Sequence, residues 1–327
     1  MMAIKVLFLS YSGRSGSTLL ADRIAREIDD VIVLPELRSL EFILGIGLSD
    51  SSQILSAVHS DQQLRQFVPL SALDDFAESV RVAQANEGAV GVCTTFARVV
   101  TGREPSPDSV LVLKMGAAVF SWNELKSALG EAGLIYVHRH PCGVASSQLS
   151  TQRAYGRSGN MGRSDPWHCA RVWNIHTSAA LAIEDSILIV SYEAVIDGHA
   201  ISQVTDHFEL RRATVPSADG IQLADREKQL HKRLSSAPER SRLDGWQSEM
   251  PLDQQRTVGH LCRENMKRLG YDEIPEPSRL EILRYGLVHL RQTILHQATK
   301  LPQLVTRPAH VARHARLRMR RYGIGAK

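Results

Sequence analysis

Between residues 4 and 28 the hydrophobic rhythm of the chain changes. Ile4, Val6, Leu7, Phe8 and Leu9 form a compact apolar run. Leu20, Ile24 and Ile28 then recur every four residues, with Ala21 and Ala25 beside them and charges opposite. The run predicts a short strand and the recurrence an amphipathic helix, joined by a turn of small and hydroxyl residues. Comparable runs predict strands at residues 31–34, 110–113, 134–137 and 187–190, and a shorter one at 90–93. A helix is expected from Cys142, after Pro141 in its first turn, and another around Trp167, Trp173 and Ile183. Residues 37–87 alternate without strand signals and are expected to form helices and loops. Leu280, Leu283, Leu287, Leu290 and Ile294 make an a/d-like stripe on a helix, with Arg284 and Arg291 off the seam. Short strands alternating with helices predict an α/β fold with a mainly parallel sheet flanked by helices.

A chain of 327 residues that is 43% apolar has room for one large α/β domain with or without an extension. Proline at 275 and 277 divides it into a domain over 1–275 and a basic helical extension over 276–327. The formal charge of +4 is uneven, because the extension holds eleven Lys/Arg against two Glu, leaving about −5 for the rest. No apolar run approaches the roughly 20 residues that span a bilayer. The first apolar run lacks a preceding basic region and leads into the turn, so it reads as a strand rather than a signal peptide. Cys93, Cys142, Cys169 and Cys262 form no C-x-x-C pair. The expectation is a reduced, cytoplasmic protein, at most peripheral to a membrane.

The chemistry enters at the strand ends. A strand that turns through glycines and hydroxyls into a helix start converges backbone N–H groups and a positive dipole end on one point, which suits an anion. The turn comprises Ser12, Gly13, Arg14, Ser15, Gly16, Ser17 and Thr18. It lacks the lysine of a nucleoside-triphosphate loop, its cation being the internal Arg14, and it is not a G-x-S-x-G elbow. A second anion-binding arrangement follows the strand at 134–137. Arg139 leaves that strand end, and Ser147 lies about two turns into the next helix, so both can reach one phosphate. Glu36 follows the strand at 31–34 and emerges on the same sheet edge as the Arg14 turn, a position suited to a general base; pairing with Arg38 or capping the next helix is the structural alternative. Lys114 ends the strand at 110–113 and either serves the site or reaches solvent.

These segments resemble the sulfotransferases that use 3′-phosphoadenosine 5′-phosphosulfate. Gly13-Arg14-Ser15-Gly16-Ser17-Thr18-Leu19-Leu20 is similar to their 5′-phosphosulfate loop, and Arg139-x-Pro141 with Ser147 to their 3′-phosphate motif. Ile189-Val190-Ser191-Tyr192-Glu193-Ala194-Val195 resembles their strand with Tyr-Glu-Asp, Ala194 standing at the acidic position. Trp246 and Met266-Lys267-Arg268-Leu269-Gly270-Tyr271 resemble the segment that closes their domain. The resemblance covers about residues 3–273. It implies a P-loop-like three-layer fold, this phosphosulfate as co-substrate and no metal. It also implies donor binding by the 12–18 turn, Arg139, Ser147 and Tyr192, with catalytic roles for Arg14, Glu36 and Lys114. Arg242 would stand near the 3′-phosphate, although the Arg-Lys-Gly signature is missing and Asp244-Gly245-Trp246 is reordered. A glutamate after the second strand points to a carbohydrate or glycolipid hydroxyl as acceptor.

Residues 152–165, rich in Gly, Ser and Arg, are expected to form a loop that either covers an anionic ligand or is simply solvated. His138 with His140, and His310 with His314, are too few for a metal centre. The stripe at 280–294 is expected to dock on the domain, with self-association or an anionic membrane surface as other uses; nucleic acid is not an expected partner. Two other functions share parts of this pattern. A phosphate-loop kinase should show Gly-Lys-Ser/Thr and a strand-end aspartate for magnesium, and a non-catalytic protein would bind acidic polymers through the tail.

Overall fold

The computed structural model describes residues 4–155, 165–230 and 240–298. Among them are five strands: β1 (Lys5–Tyr11), β2 (Val31–Leu34), β3 (Val110–Lys114), β4 (Ala132–His138) and β5 (Leu188–Ser191). They form one sheet in the order β2-β3-β1-β4-β5, parallel at every pairing. Helix α1 (Ser17–Glu27) follows β1, and α2 (Arg38–Ile46), α3 (Ser51–Ser60) and α4 (Leu73–Thr101) lie between β2 and β3. Next come α5 (Trp122–Leu129), α6 (Pro141–Tyr155) and α7 (Pro166–Leu181). After β5 the chain forms α8 (Tyr192–Asp197), α9 (Ala200–Phe208), α10 (Asp225–Leu230), α11 (Ser241–Asp244), α12 (Trp246–Glu249), α13 (Leu252–Arg268) and α14 (Arg279–Ala298).

The strand period of two divides the core between the sheet faces. Leu7, Leu9, Val112, Ile135 and Val137 pack with Leu20, Ile24, Ile201 and Val204 of α1 and α9. Val6, Phe8, Leu111, Leu113 and Leu134 pack with apolar side chains of α2 to α5 and Ala180 of α7. This gives the three layers expected. A third cluster, with Cys142, Val144, Cys169, Trp173, Val258, Cys262 and Met266, fastens α6 to α7 and α13. All four cysteines are buried thiols, and burial raises their pKa, for Cys93 and Cys169 to about 12.

The strand expected at 90–93 is instead part of α4. Its Val92, Cys93, Phe96, Ala97 and Val100 recur at three- and four-residue intervals as one buried face, so the short apolar run belongs to a helical stripe. Gly88, at φ 65° and ψ −145°, interrupts the helix just before that stripe. Ile183 lies beyond the end of α7. The loop at 152–165 falls largely outside the described residues; Asp165 is buried and caps α7, accepting from His168 N at 2.7 Å.

The stripe on α14 does not dock, as expected, on the domain. Leu280, Leu283, Leu287, Leu290 and Ile294 are all exposed. The helix is held by its other side, where Tyr285 is buried with its hydroxyl donating to Asp253 Oδ2 at 2.7 Å, and His289 Nδ1 lies 3.2 Å from Asp165. Specific polar anchors therefore set its rotation, rather than the apolar seam. His310 and His314 lie outside the described residues, and no helix among those described is long and apolar enough to cross a membrane.

Candidate active site

All five strands run parallel, so their carboxyl ends share one edge, where open α/β sheets bind ligands. The turn after β1, Pro35-Glu36 after β2, Lys114 at the end of β3, Arg139 after β4 and Tyr192 after β5 all sit there.

The first turn is built for close approach. Gly16 is left-handed at φ 94°, and Arg14 adopts φ 73°, unusual for a non-glycine residue. A Cβ at Gly16 would lie 2.3 Å from the Tyr192 ring, so Tyr192 packs directly against the turn. α1 begins without a side-chain cap, which leaves its first N–H groups available to an anion. Ser12 Oγ and Ser15 Oγ are buried without a hydrogen-bond partner. Buried hydroxyls of this kind normally find one, and two of them beside a bare helix start suit phosphate or sulfate oxygens.

The second anion motif is joined to the first. Arg14 Nε donates to Ser147 Oγ at 3.0 Å, and Gln148 Nε2 donates to the Gly13 carbonyl at 2.9 Å. Two residues 133 positions apart thus meet across the mouth of the turn. Arg139 lies over the Tyr192 ring, its Cζ 4.4 Å from the centroid. Its Nη2 donates to the Arg242 carbonyl at 2.5 Å, while its Nε is buried without a partner. It forms no salt bridge among the described residues, and burial lowers its pKa, with Arg242 adding repulsion. A half-buried guanidinium with an unpaired Nε and a second cation nearby is prepared for a polyanion. Arg242 contributes its carbonyl to Arg139, and its side chain is exposed.

The C-terminal part of the domain closes over this motif. Trp246 stacks on His140 at 4.3 Å between centroids, and Tyr271 meets His138 Nδ1 through its hydroxyl at 2.9 Å. The same hydroxyl lies 3.3 Å from Glu193 Oε2, whose carboxyl is raised by burial. Burial lowers both imidazoles to about 4, so they are neutral at physiological pH. His138 bonds the Tyr271 hydroxyl, while His140 stacks on Trp246 and accepts from the Cys142 N–H at 3.3 Å. Among the described residues no group of three or more His, Cys, Asp or Glu is arranged to hold a metal.

A carboxylate cluster borders the other side of the turn. Tyr11 OH donates to Glu36 Oε2 at 2.6 Å, and Lys114 Nζ donates to Thr18 Oγ1 at 3.0 Å. Lys114 is nearly fully buried and also lies 3.8 Å from Glu227 Oε1. Glu227 is raised by its burial against the lowering pull of Lys114, with Glu36 adding repulsion, and its Oε2 is buried without a partner. Of the three sequence-derived residues, Arg14 lies in the turn and reaches Ser147, Lys114 reaches the turn through Thr18, and Glu36 is held by Tyr11 at the end of β1. No sequence pattern marks Glu227 or Tyr11 as part of the site. Glu227 lies in a short polar stretch with no periodicity, and only folding brings it to Lys114; Tyr11 follows Ser10 directly after the β1 apolar run, where no spacing ties it to Glu36.

The family model for the sulfotransferase family matches residues 9–212, which contain both anion motifs, Glu36, Lys114 and Tyr192. Among solved structures, the sulfotransferase domain from the curacin biosynthetic pathway aligns with a TM-score of 0.52 at 16% identity, covering 84% of this chain and 99% of that one. The sulfotransferase domain from the Synechococcus PCC 7002 olefin synthase aligns with a TM-score of 0.47 at 16% identity, covering 83% and 96%. No curated protein sequence matches.

Proposed function

The chain belongs to the sulfotransferase family, and on that premise we propose that it moves a sulfuryl group from 3′-phosphoadenosine 5′-phosphosulfate to an acceptor hydroxyl, a carbohydrate or glycolipid being the favoured class. The observation that carries this reading is the contact of Arg14 with Ser147, beside an Arg139 that has unused donors. It brings one anion site suited to a 5′-phosphosulfate next to another suited to a 3′-phosphate, and a donor with a single phosphate chain would leave the second unused.

In this reading the 12–18 turn and the start of α1 hold the 5′-phosphosulfate, and Arg139 with Ser147 holds the 3′-phosphate. The acceptor oxygen attacks sulfur in line, the bond to the bridging oxygen breaks, and 3′-phosphoadenosine 5′-phosphate leaves with that electron pair. Arg14 stabilises the charge gathering on the sulfuryl and bridging oxygens. Glu36, oriented through one oxygen by Tyr11, takes the acceptor's proton on the other. Lys114 supports Thr18 and is balanced by Glu227. The glutamate after the second strand is what favours a sugar hydroxyl.

The kinase alternative is disfavoured by the same contacts. Thr18 stands where a nucleoside-triphosphate loop places its magnesium-binding hydroxyl, and here that hydroxyl accepts from the Lys114 ammonium. The test is an incubation with 3′-phosphoadenosine 5′-phosphosulfate and a panel of sugars, glycolipids and phenols in chelator, read by mass spectrometry. A sulfuryl adduct that persists without magnesium and is lost in Arg14→Ala is expected. Phosphorylated product from ATP, dependent on magnesium, would overturn the reading.

A further inference from the structure

α14 turns its aliphatic side away from the domain. Leu280, Leu283, Leu287, Leu290 and Ile294 are each 56–77% exposed, in a row along one face. The opposite side is fixed by Tyr285 on Asp253 and His289 near Asp165, and the flanks of the row by Arg284 on Asp253 and Gly286 against Trp167. A helix anchored through specific polar contacts with a continuous leucine row outward calls for a cover. We propose that this face docks on an anionic lipid membrane surface, α14 lying in the interfacial plane with its leucines at the acyl boundary. The proposal is separate from the sulfuryl-transfer reading.

Charge selects the membrane over a second copy of the chain. Residues 299–327 hold eight Lys/Arg and no Asp/Glu, so the leucine row is followed at once by a strongly cationic stretch. Beside anionic headgroups each such residue adds attraction, by about 1 kcal/mol per charge near the surface, or roughly fivefold in partition. A second copy packed in parallel would bring the same cationic stretch to the same place, and one packed antiparallel would still offer that stretch no row of carboxylates. The positions flanking the row, Arg284, Gly286, Arg291 and Thr293, also supply no carboxylate to pair with an arginine across a self-made seam. Aliphatic contact and basic charge, one after the other, are the two signals that together hold a protein at an interface when either alone is marginal.

The test is flotation of the full chain with vesicles of phosphatidylcholine alone and with added phosphatidylglycerol. Two variants accompany it: Leu283→Gln with Leu287→Gln and Leu290→Gln, and Arg313→Gln with Arg316→Gln, Arg318→Gln, Arg320→Gln and Arg321→Gln. All three leucines are exposed, so the first variant should keep the wild-type circular dichroism and Tm; single Leu287→Gln serves if it does not. Binding at least about tenfold stronger on anionic vesicles is expected, falling by about tenfold or more in each variant. Equal binding to neutral vesicles, binding indifferent to the leucines, or no binding would overturn the proposal. So would a wild-type dimer in light scattering that the leucine variant converts to monomer, which would assign the face to a second copy.

Discussion

Replacing Arg139 with methionine should separate donor binding from stability. The side chain is half-buried, spends Nη2 on the Arg242 carbonyl, and leaves Nε buried without a partner. A 3′-phosphate would take two charge-assisted hydrogen bonds from the remaining fork, worth about 1.5–3 kcal/mol each. Arg139→Met should therefore weaken 3′-phosphoadenosine 5′-phosphate by about 3–5 kcal/mol, roughly 10²- to 10⁴-fold in Kd. Folding should barely notice. The variant loses one hydrogen bond and the contact with Tyr192, about 1–3 kcal/mol together, but it also relieves a partly desolvated cation that forms no salt bridge among the described residues, which offsets part of that loss. Net stability should stay within about 1 kcal/mol of wild type. The assay is thermal unfolding with and without ligand, alongside calorimetric titration. A large fall in Tm with unchanged ligand affinity would refute the reasoning and make Arg139 a structural residue.

The other predictions follow from the same contacts. Glu36→Gln should cut turnover by about 10²- to 10⁴-fold while leaving donor affinity unchanged, and parallel losses in both would remove Glu36 from the role of base. Gly16→Ala should destabilise by about 2–4 kcal/mol, because its Cβ meets the Tyr192 ring at 2.3 Å in a left-handed backbone; denaturant unfolding with an unchanged midpoint would contradict this. Lys114→Met should cost about 3–5 kcal/mol by stranding the Glu227 carboxylate, and adding Glu227→Gln should recover much of it in a double-mutant cycle. His138 and His140 have folded pKa values lowered to about 4 by burial. Their neutral burial contributes stability that is whole above about pH 6.5 and is lost as pH falls towards 4. The raised Glu193 acts in the opposite direction, so the reading is comparative: His138→Asn with His140→Asn should flatten the fall of Tm between about pH 6.5 and 4.

The sheet and the donor-side residues were legible because each depends on local pattern. A short apolar run, a turn of small residues and a helical recurrence are contiguous in sequence, and they placed β1, the turn and α1 together. The same held for Arg139, Pro141 and Ser147 after β4. Residues 90–93 misled because a short apolar run looks alike in a strand and in a helix packed on a core, and only the longer recurrence through Val100 separates them. Glu227 could not be foreseen, since its partner Lys114 comes from a distant strand end and the intervening chain carries no spacing that relates them. Arg242 meets Arg139 through its backbone carbonyl, a group every residue has and no motif marks. The α14 stripe was visible as a seam, but its rotation is set by Tyr285 and His289, whose partners Asp253 and Asp165 lie far away in sequence.

The most direct measurement of the central claim, that two anion motifs make one site for a 3′-phosphorylated donor, is calorimetric binding of 3′-phosphoadenosine 5′-phosphate against AMP and ATP in chelator. The account predicts tight binding of the first, weaker binding of AMP by about 10²-fold or more for want of the Arg139 and Ser147 contacts, and no magnesium requirement. Equal affinity for AMP, or preference for ATP with magnesium, would contradict it.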